Sequence, residues 1–262
     1  MSVLDPFSHA LAAVMAAAHS GLVSLGAAPA SGTTWVLCVA ALVVAVRGAL
    51  LPVVVHGVRQ AHASAHARPQ MQELARRYRT RRDPESLRAF AAERRRVASE
   101  HNVSRWGALP VLAQLPIWIA LYQLVGHVAQ GVPVGAMQAG LVTSLGAATV
   151  LGVPLASRGY LGGGPAHLAV VAALAALAAG LSYVTQRYVV APNTVLGDVP
   201  AAVARVQHLL PAVSAVGLLL AAGAVPVALL VYWVCNSAWT LGQSAVVWRW
   251  FPTPGSEAAR AR

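Results

Sequence analysis

Arg47 lies inside an otherwise apolar run, Thr34 to Val55, and no other long apolar run of this chain carries a charge so deep. At 1.5 Å per residue a helix over 34–55 covers about 33 Å, enough to cross a hydrocarbon layer about 30 Å thick. Backbone polar groups in hydrocarbon must bond to one another, which leaves a helix as the form of such a run. An arginine at the centre of a spanning helix costs about 2.5–3.5 kcal/mol on the lenient insertion scales. That cost is met where the charge faces water inside the protein or binds something there. The 262-residue chain is 57% hydrophobic and 10% charged. These features predict an all-α integral membrane protein with a wet, positively charged internal site.

Four further apolar runs of helical length follow. They predict spans over 107–127, 166–187, 209–222 and 226–248, with Gly223 and Pro226 dividing the last two. Residues 1–33 read as an amphipathic segment on the outer surface. Asp5 and Pro6 stand where a signal peptide would carry basic residues. The segment Met137–Leu155 is apolar but holds Gly140, Gly146, Gly152 and Pro154. It is placed with the outer loop 128–165. Residues 188–208 form a second inner loop and 249–262 a short basic tail.

The arginines fix the orientation. All 19 basic residues are arginine, and 12 of them fall in 56–106. With five spans and the N-terminus outside, only Arg158 stays outside and Arg47 lies in the membrane; the rest are cytoplasmic, as the bias of basic loops requires. Treating 137–155 as a sixth span would spoil that bias.

The loop 56–106 is itself patterned. Met71, Leu74, Ala75 and Tyr78 recur at helical spacing, as do Leu87, Phe90, Ala91, Val97 and Ala98 after Pro84, a residue suited to a helix's first turn. This predicts an antiparallel helical hairpin whose arginines, among them Arg76, Arg77, Arg81, Arg82, Arg94, Arg95 and Arg96, form a docking surface for an acidic partner or only set topology. Cys38 and Cys235 sit in apolar runs and read as small core residues; His56, His62 and His66 read as surface histidines. No spacing suggests a metal site, a cofactor or catalytic residues.

Three stretches carry more than composition. They are Arg47-Gly48-Ala49-Leu50-Leu51-Pro52, then Pro69-Gln70-Met71-Gln72-Glu73-Leu74 with Leu109-Pro110-Val111-Leu112-Ala113-Gln114-Leu115-Pro116-Ile117-Trp118, and Val225-Pro226-Val227-Ala228-Leu229-Leu230-Val231-Tyr232-Trp233-Val234-Cys235-Asn236. Together they resemble the YidC-type membrane protein insertases of the Oxa/Alb superfamily, in their short actinobacterial style, over roughly residues 33–250. Ala228 stands where the family usually has glycine, and the tail after Pro252 is short, so that any ribosome contact falls to the hairpin.

The resemblance implies a groove open to the cytoplasm and lipid but closed outside, in the bacterial plasma membrane. Arg47 would attract acidic residues of a short nascent membrane protein, which then slides into the bilayer along the groove's apolar wall. Gln114, Gln186, Asn236, Thr240 and Gln243 are the further groove candidates; 236, 240 and 243 share one helical face. The implied partners are nascent membrane proteins, the lipid bilayer, the ribosome through the hairpin, and the Sec translocon. The alternative reading is a small anion transporter or channel using the same arginine; it predicts repeats or paired broken helices, and the sequence has neither. A reporter fused at residue 145 is expected to read as extracytoplasmic in a cell-based topology assay; a cytoplasmic signal would overturn the five-span arrangement.

Overall fold

The computed structural model describes residues 5–80, 83–104, 109–161, 163–195 and 201–261, and for 109–113 and 201–204 the backbone only. The helices are α1 (Asp5–Ser24), α2 (Gly32–Ala49), α3 (Leu51–Tyr78), α4 (Pro84–Glu100), α5 (Leu109–Ala129), α6 (Ala139–Ala147), α7 (Gly164–Val184), α8 (Ala201–Ala222), α9 (Val227–Trp250) and α10 (Glu257–Arg260). Two dipeptide strands, β1 (Thr149–Val150) and β2 (Val153–Pro154), pair antiparallel after α6. The fold is mostly helical. Four described helical stretches are long and apolar enough to cross a membrane: α1, α2, Gly164–Asn193 and Arg205–Ala222. At 21 and 24 residues, α5 and α9 have the length to do so as well.

The run expected as one span over 34–55 is divided. α2 stops at Ala49 and α3 starts at Leu51. The cause is Pro52, which has no N–H to return to Gly48 and whose ring clashes with that carbonyl. Leu50 closes the break, its own N–H donating back to the Gly48 and Val46 carbonyls. α3 then runs 28 residues, so its apolar start and its basic continuation are one rod.

α3 and α4 form an antiparallel pair. Asp83 caps α4 through Ser86 N, with Pro84 at its first turn. Leu74 and Val97 are buried. Tyr78 and Arg77 reach Glu93 at 3.5 and 3.9 Å, and Gln70 meets His101 at 3.2 Å. Nearer α2, Gln60 accepts from Ser104 N at 2.7 Å.

At the end of the bundle where α2 starts and α5 finishes, small elements pack over the core. α1 buries the stripe Ser8, Leu11, Ala12, Met15 and His19, the spacing of one helical face. His9 lies against Gly135 in the loop after α5, and His19 stacks on Trp35 at 4.6 Å between ring centres. The ends of α1 are thus tied to the loop after α5 and to the first turn of α2. Trp35 Nε1 donates to Ser144 Oγ at 3.1 Å, and Ser144 donates on to the Pro29 carbonyl. α6, nine residues long, rises about 14 Å, half of what a bilayer crossing needs.

α9 is anchored at this same end. Val227 N and Ala228 N, donors that a helix start leaves without intrahelical partners, bond the Ser157 and Leu155 carbonyls at 2.9 Å. Residues 227 to 233 are all buried, whereas 234 to 243 are partly accessible. α7 packs against both α8 and α9 through a face of Val170, Val171, Ala175, Ala178 and Ala179, small residues that let helices approach closely in lipid. It continues into a π-helical turn over Thr185–Val190 and a 3-10 turn over Ala191–Asn193.

Gly32 is required by a close approach to backbone. A Cβ on Gly32 would stand 1.7 Å from the Thr149 carbonyl oxygen, so α2 or β1 would have to move. Gly32→Ala is expected to lower stability by about 1–3 kcal/mol, read as a lower melting temperature of the detergent-solubilised protein; Gly48→Ala, where nothing lies within 4 Å, is the matched control.

Candidate groove around Arg47

Because α2 ends just beyond it, Arg47 occupies the last turn of that helix, and its side chain crosses to α9. Nε and Nη2 both donate to Asn236 Oδ1, at 3.0 and 2.7 Å, and Nη2 also donates to Thr240 Oγ1 at 3.3 Å. Thr240 Oγ1 in turn donates to the Asn236 carbonyl at 2.8 Å, which points its lone pairs at the arginine. Every partner is neutral. Among the described residues no carboxylate pairs with Arg47, while Arg77 and Arg96 have theirs.

The guanidinium borders a small cleft between α2, α5 and α9, lined by Val43, Val46, Leu50, Gln114, Ile117, Trp118, Tyr232 and Asn236. Spacing explains the α9 contribution: 232, 236 and 240 are successive turns of one face. Below the buried stretch 227–233, that face turns polar. Outward from the cleft, α5 exposes Leu115, Trp118, Ile119 and Tyr122. The site therefore joins a fixed positive charge and amide and hydroxyl groups to an apolar surface.

The structure brings together four of the groove candidates: Arg47, Gln114, Asn236 and Thr240. It places the other two elsewhere. Gln243 accepts from Trp239 Nε1 at 3.0 Å and faces clefts shared with α3. Gln186 sits in the π-helical turn and donates to Ser182 Oγ at 3.1 Å. A shared helical face brought Gln243 into the candidate set; one further turn along α9 has already left the α2 contact. Tyr232 was not among the candidates, although its place one turn before Asn236 would have pointed to it. Of the hairpin arginines, Arg76, Arg77, Arg94, Arg95 and Arg96 are exposed on α3 and α4, and Arg81 and Arg82 lie outside the described residues.

These features define a multi-pass α-helical membrane protein with an arginine held by neutral groups in a partly accessible cleft. A family model for the 60Kd inner membrane protein matches residues 27–254, and the chain belongs to that family. It is similar to the membrane protein insertase YidC of Streptomyces avermitilis, 30% identical over 241 residues, which is 88% of this chain and 55% of that protein. The insertase YidC of Bifidobacterium longum is 24% identical over 98% of this chain and 78% of its own length. A shorter match, 37% identical over 84 residues and 32% of this chain, joins it to the YidC of Enterococcus faecalis. The chain thus spans little more than half the length of the Streptomyces relative.

A double-mutant cycle isolates the central contact. Arg47→Ala and Asn236→Ala, singly and together, are expected to show a coupling of about 0.6–2 kcal/mol in stability, measured by reversible unfolding in mixed micelles. Additive effects would mean that the contact is not energetically formed.

Proposed function

We propose that this chain is a membrane protein insertase and chaperone, the activity named for its relatives, and that the Arg47 cleft is its substrate groove. The observation that carries the reading is that Arg47 bonds Asn236 and Thr240, with no carboxylate bonded to it among the described residues. Neutral groups hold the guanidinium in place and leave its charge available. At an effective dielectric of about 20, a carboxylate 4 Å away gains about 4 kcal/mol from such a charge before desolvation. An acidic residue in the leading end of a short nascent membrane protein is drawn to it, and the apolar segment behind then lies along Leu115, Trp118, Ile119 and Tyr122. Burial of that segment in lipid, about 25 cal/mol per Å² of apolar surface, drives the step without nucleotide hydrolysis.

In this reading five spans cross the membrane: α2 with the start of α3, then α5, α7, α8 and α9. The N-terminus is outside and the C-terminus cytoplasmic. α1, α6 and the β1–β2 turn close the outer end. The α3–α4 hairpin stands in the cytoplasm, where its exposed arginines meet an acidic partner, the ribosome being the implied one. The Sec translocon is the other implied partner.

The test is insertion of a small, acid-tailed single-span protein into liposomes containing this chain. Wild type is expected to insert it. Arg47→Ala is expected to lower the yield by about tenfold, with Arg47→Lys intermediate because lysine keeps the charge but not the fork that reaches Asn236 and Thr240. Equal insertion by Arg47→Ala would remove the charge from the mechanism, and no insertion by wild type would remove the function. Uptake of a radiolabelled anion by the same liposomes would favour the transporter.

A further inference from the structure

Arg68 on α3 has one nitrogen satisfied and one not. Nη2 donates to the Val195 carbonyl. Nη1 is enclosed and has no hydrogen-bond acceptor among the described residues, an unfavourable state for a charged donor. The side chain lines a cleft of about 470 Å³ between α3, the segment 189–195 and the end of α9. The rest of the lining is mostly apolar, with Val54, Val58, Val190 and Val247, and is interrupted by Ser64, Asn193, Thr194, Gln243, Ser244 and Thr253. A second cleft of about 770 Å³ flanks the same α3–α9 seam, sharing Val54, Val58, Gln243 and Val247, with Arg59 and His62 among its lining residues.

The depth of this site follows from α9. The helix ends in Trp248, Arg249 and Trp250, with Phe251 just beyond; the three aromatics are exposed. Such a group marks the level where hydrocarbon gives way to headgroups. His62 bonds the Phe251 carbonyl at 3.1 Å, which sets α3 at that level. Arg68 lies beyond His62 on the polar side, and Val54 and Val58 lie before it on the apolar side. Along α3, positions 54 and 68 are about 21 Å apart, so the cleft leads from headgroup depth into the acyl region.

We propose that this cleft holds an anionic membrane lipid, with its phosphate on Arg68 and one acyl chain along Val54, Val58, Val190 and Val247. A phosphate oxygen supplies the acceptor that Nη1 lacks, and guanidinium–phosphate pairing is geometrically favourable. The valine walls choose the source: a nucleic acid offers the same phosphate but nothing to cover them. The site is separate from the Arg47 groove and does not depend on the insertase reading.

The test uses the full chain in nanodiscs of phosphatidylcholine containing a minor share of phosphatidylglycerol, with retained lipid counted by native mass spectrometry after mild release. Wild type is expected to retain phosphatidylglycerol in preference to phosphatidylcholine. Arg68→Gln is expected to lower that preference about fivefold, Arg68→Lys to keep most of it, and Arg158→Gln, at the other end of the bundle, to leave it unchanged. Ala61→Phe, which fills the cleft while sparing Arg68, is expected to reduce retention of either lipid, and it reads the site even where Arg68→Gln does not fold. Equal retention by wild type and both Arg68→Gln and Ala61→Phe would overturn the proposal. So would displacement of the lipid by inorganic phosphate alone, which would mark a small-anion site. Asp198 is the acidic residue nearest in sequence to Val195; a gain in retention on Asp198→Asn would show that a carboxylate already holds the guanidinium, and would also overturn it.

Discussion

A positive charge within an apolar bundle has to be held by something, and here the holder is an amide. Arg47 bonds Asn236 through two nitrogens and Thr240 through one of the same two. This contact sets the relation of α2 to α9, and the rest of the architecture serves it. α9 must present Asn236 at one height, which it does because its start is bonded to the Ser157 and Leu155 carbonyls. α2 must bring Arg47 to the same height, which it does because Gly32 lets its start sit against Thr149. Both helices are thus registered from the same end of the molecule, where α1, α6 and the short strands pack.

That arrangement also gives the bundle two unlike ends. The end carrying Trp35, Leu42 and residues 227–233 is closely packed, with apolar side chains filling it. On α9 the polar groups that hold Arg47 come only beyond Trp233, where the helix becomes partly accessible. A closely packed end and a polar end on the same helices make the bundle asymmetric along its length. In lipid, where the hydrophobic effect does not draw helices together, the small residues of α7 and the hydrogen bonds at the helix starts carry much of the cohesion.

Much of this was legible in the residues. Bilayer-length apolar runs required helices, and the position of Arg47 required a partner for it. Asn236 and Thr240 were legible as groove candidates on one face, but that they hold Arg47 is seen only in the folded pairing of α2 with α9. The helical pairing of 56–106 was legible from its two apolar stripes and Pro84. The division at Leu50 was less so: Pro52 was visible, but hydropathy runs through it from Thr34 to Val55 without a step. Gln243 and Gln186 show the limit of reading faces along single helices. Whether a polar residue reaches a site depends on which neighbour its turn meets, and α9 passes from α2 to α3 within two turns of Asn236. Arg68 was invisible among 12 loop arginines, because only folding distinguishes the one whose nitrogen is enclosed.

The break at Leu50 has a consequence for the chemistry of Arg47. α2 stops two residues beyond Arg47, since Pro52 has no N–H to offer, and Leu50 N takes the Gly48 and Val46 carbonyls instead. The arginine, at the end of its helix, is held by an amide and a hydroxyl on α9, with no carboxylate bonded to it among the described residues. Amides and hydroxyls do not titrate, so the acidity of the surroundings leaves this support unchanged.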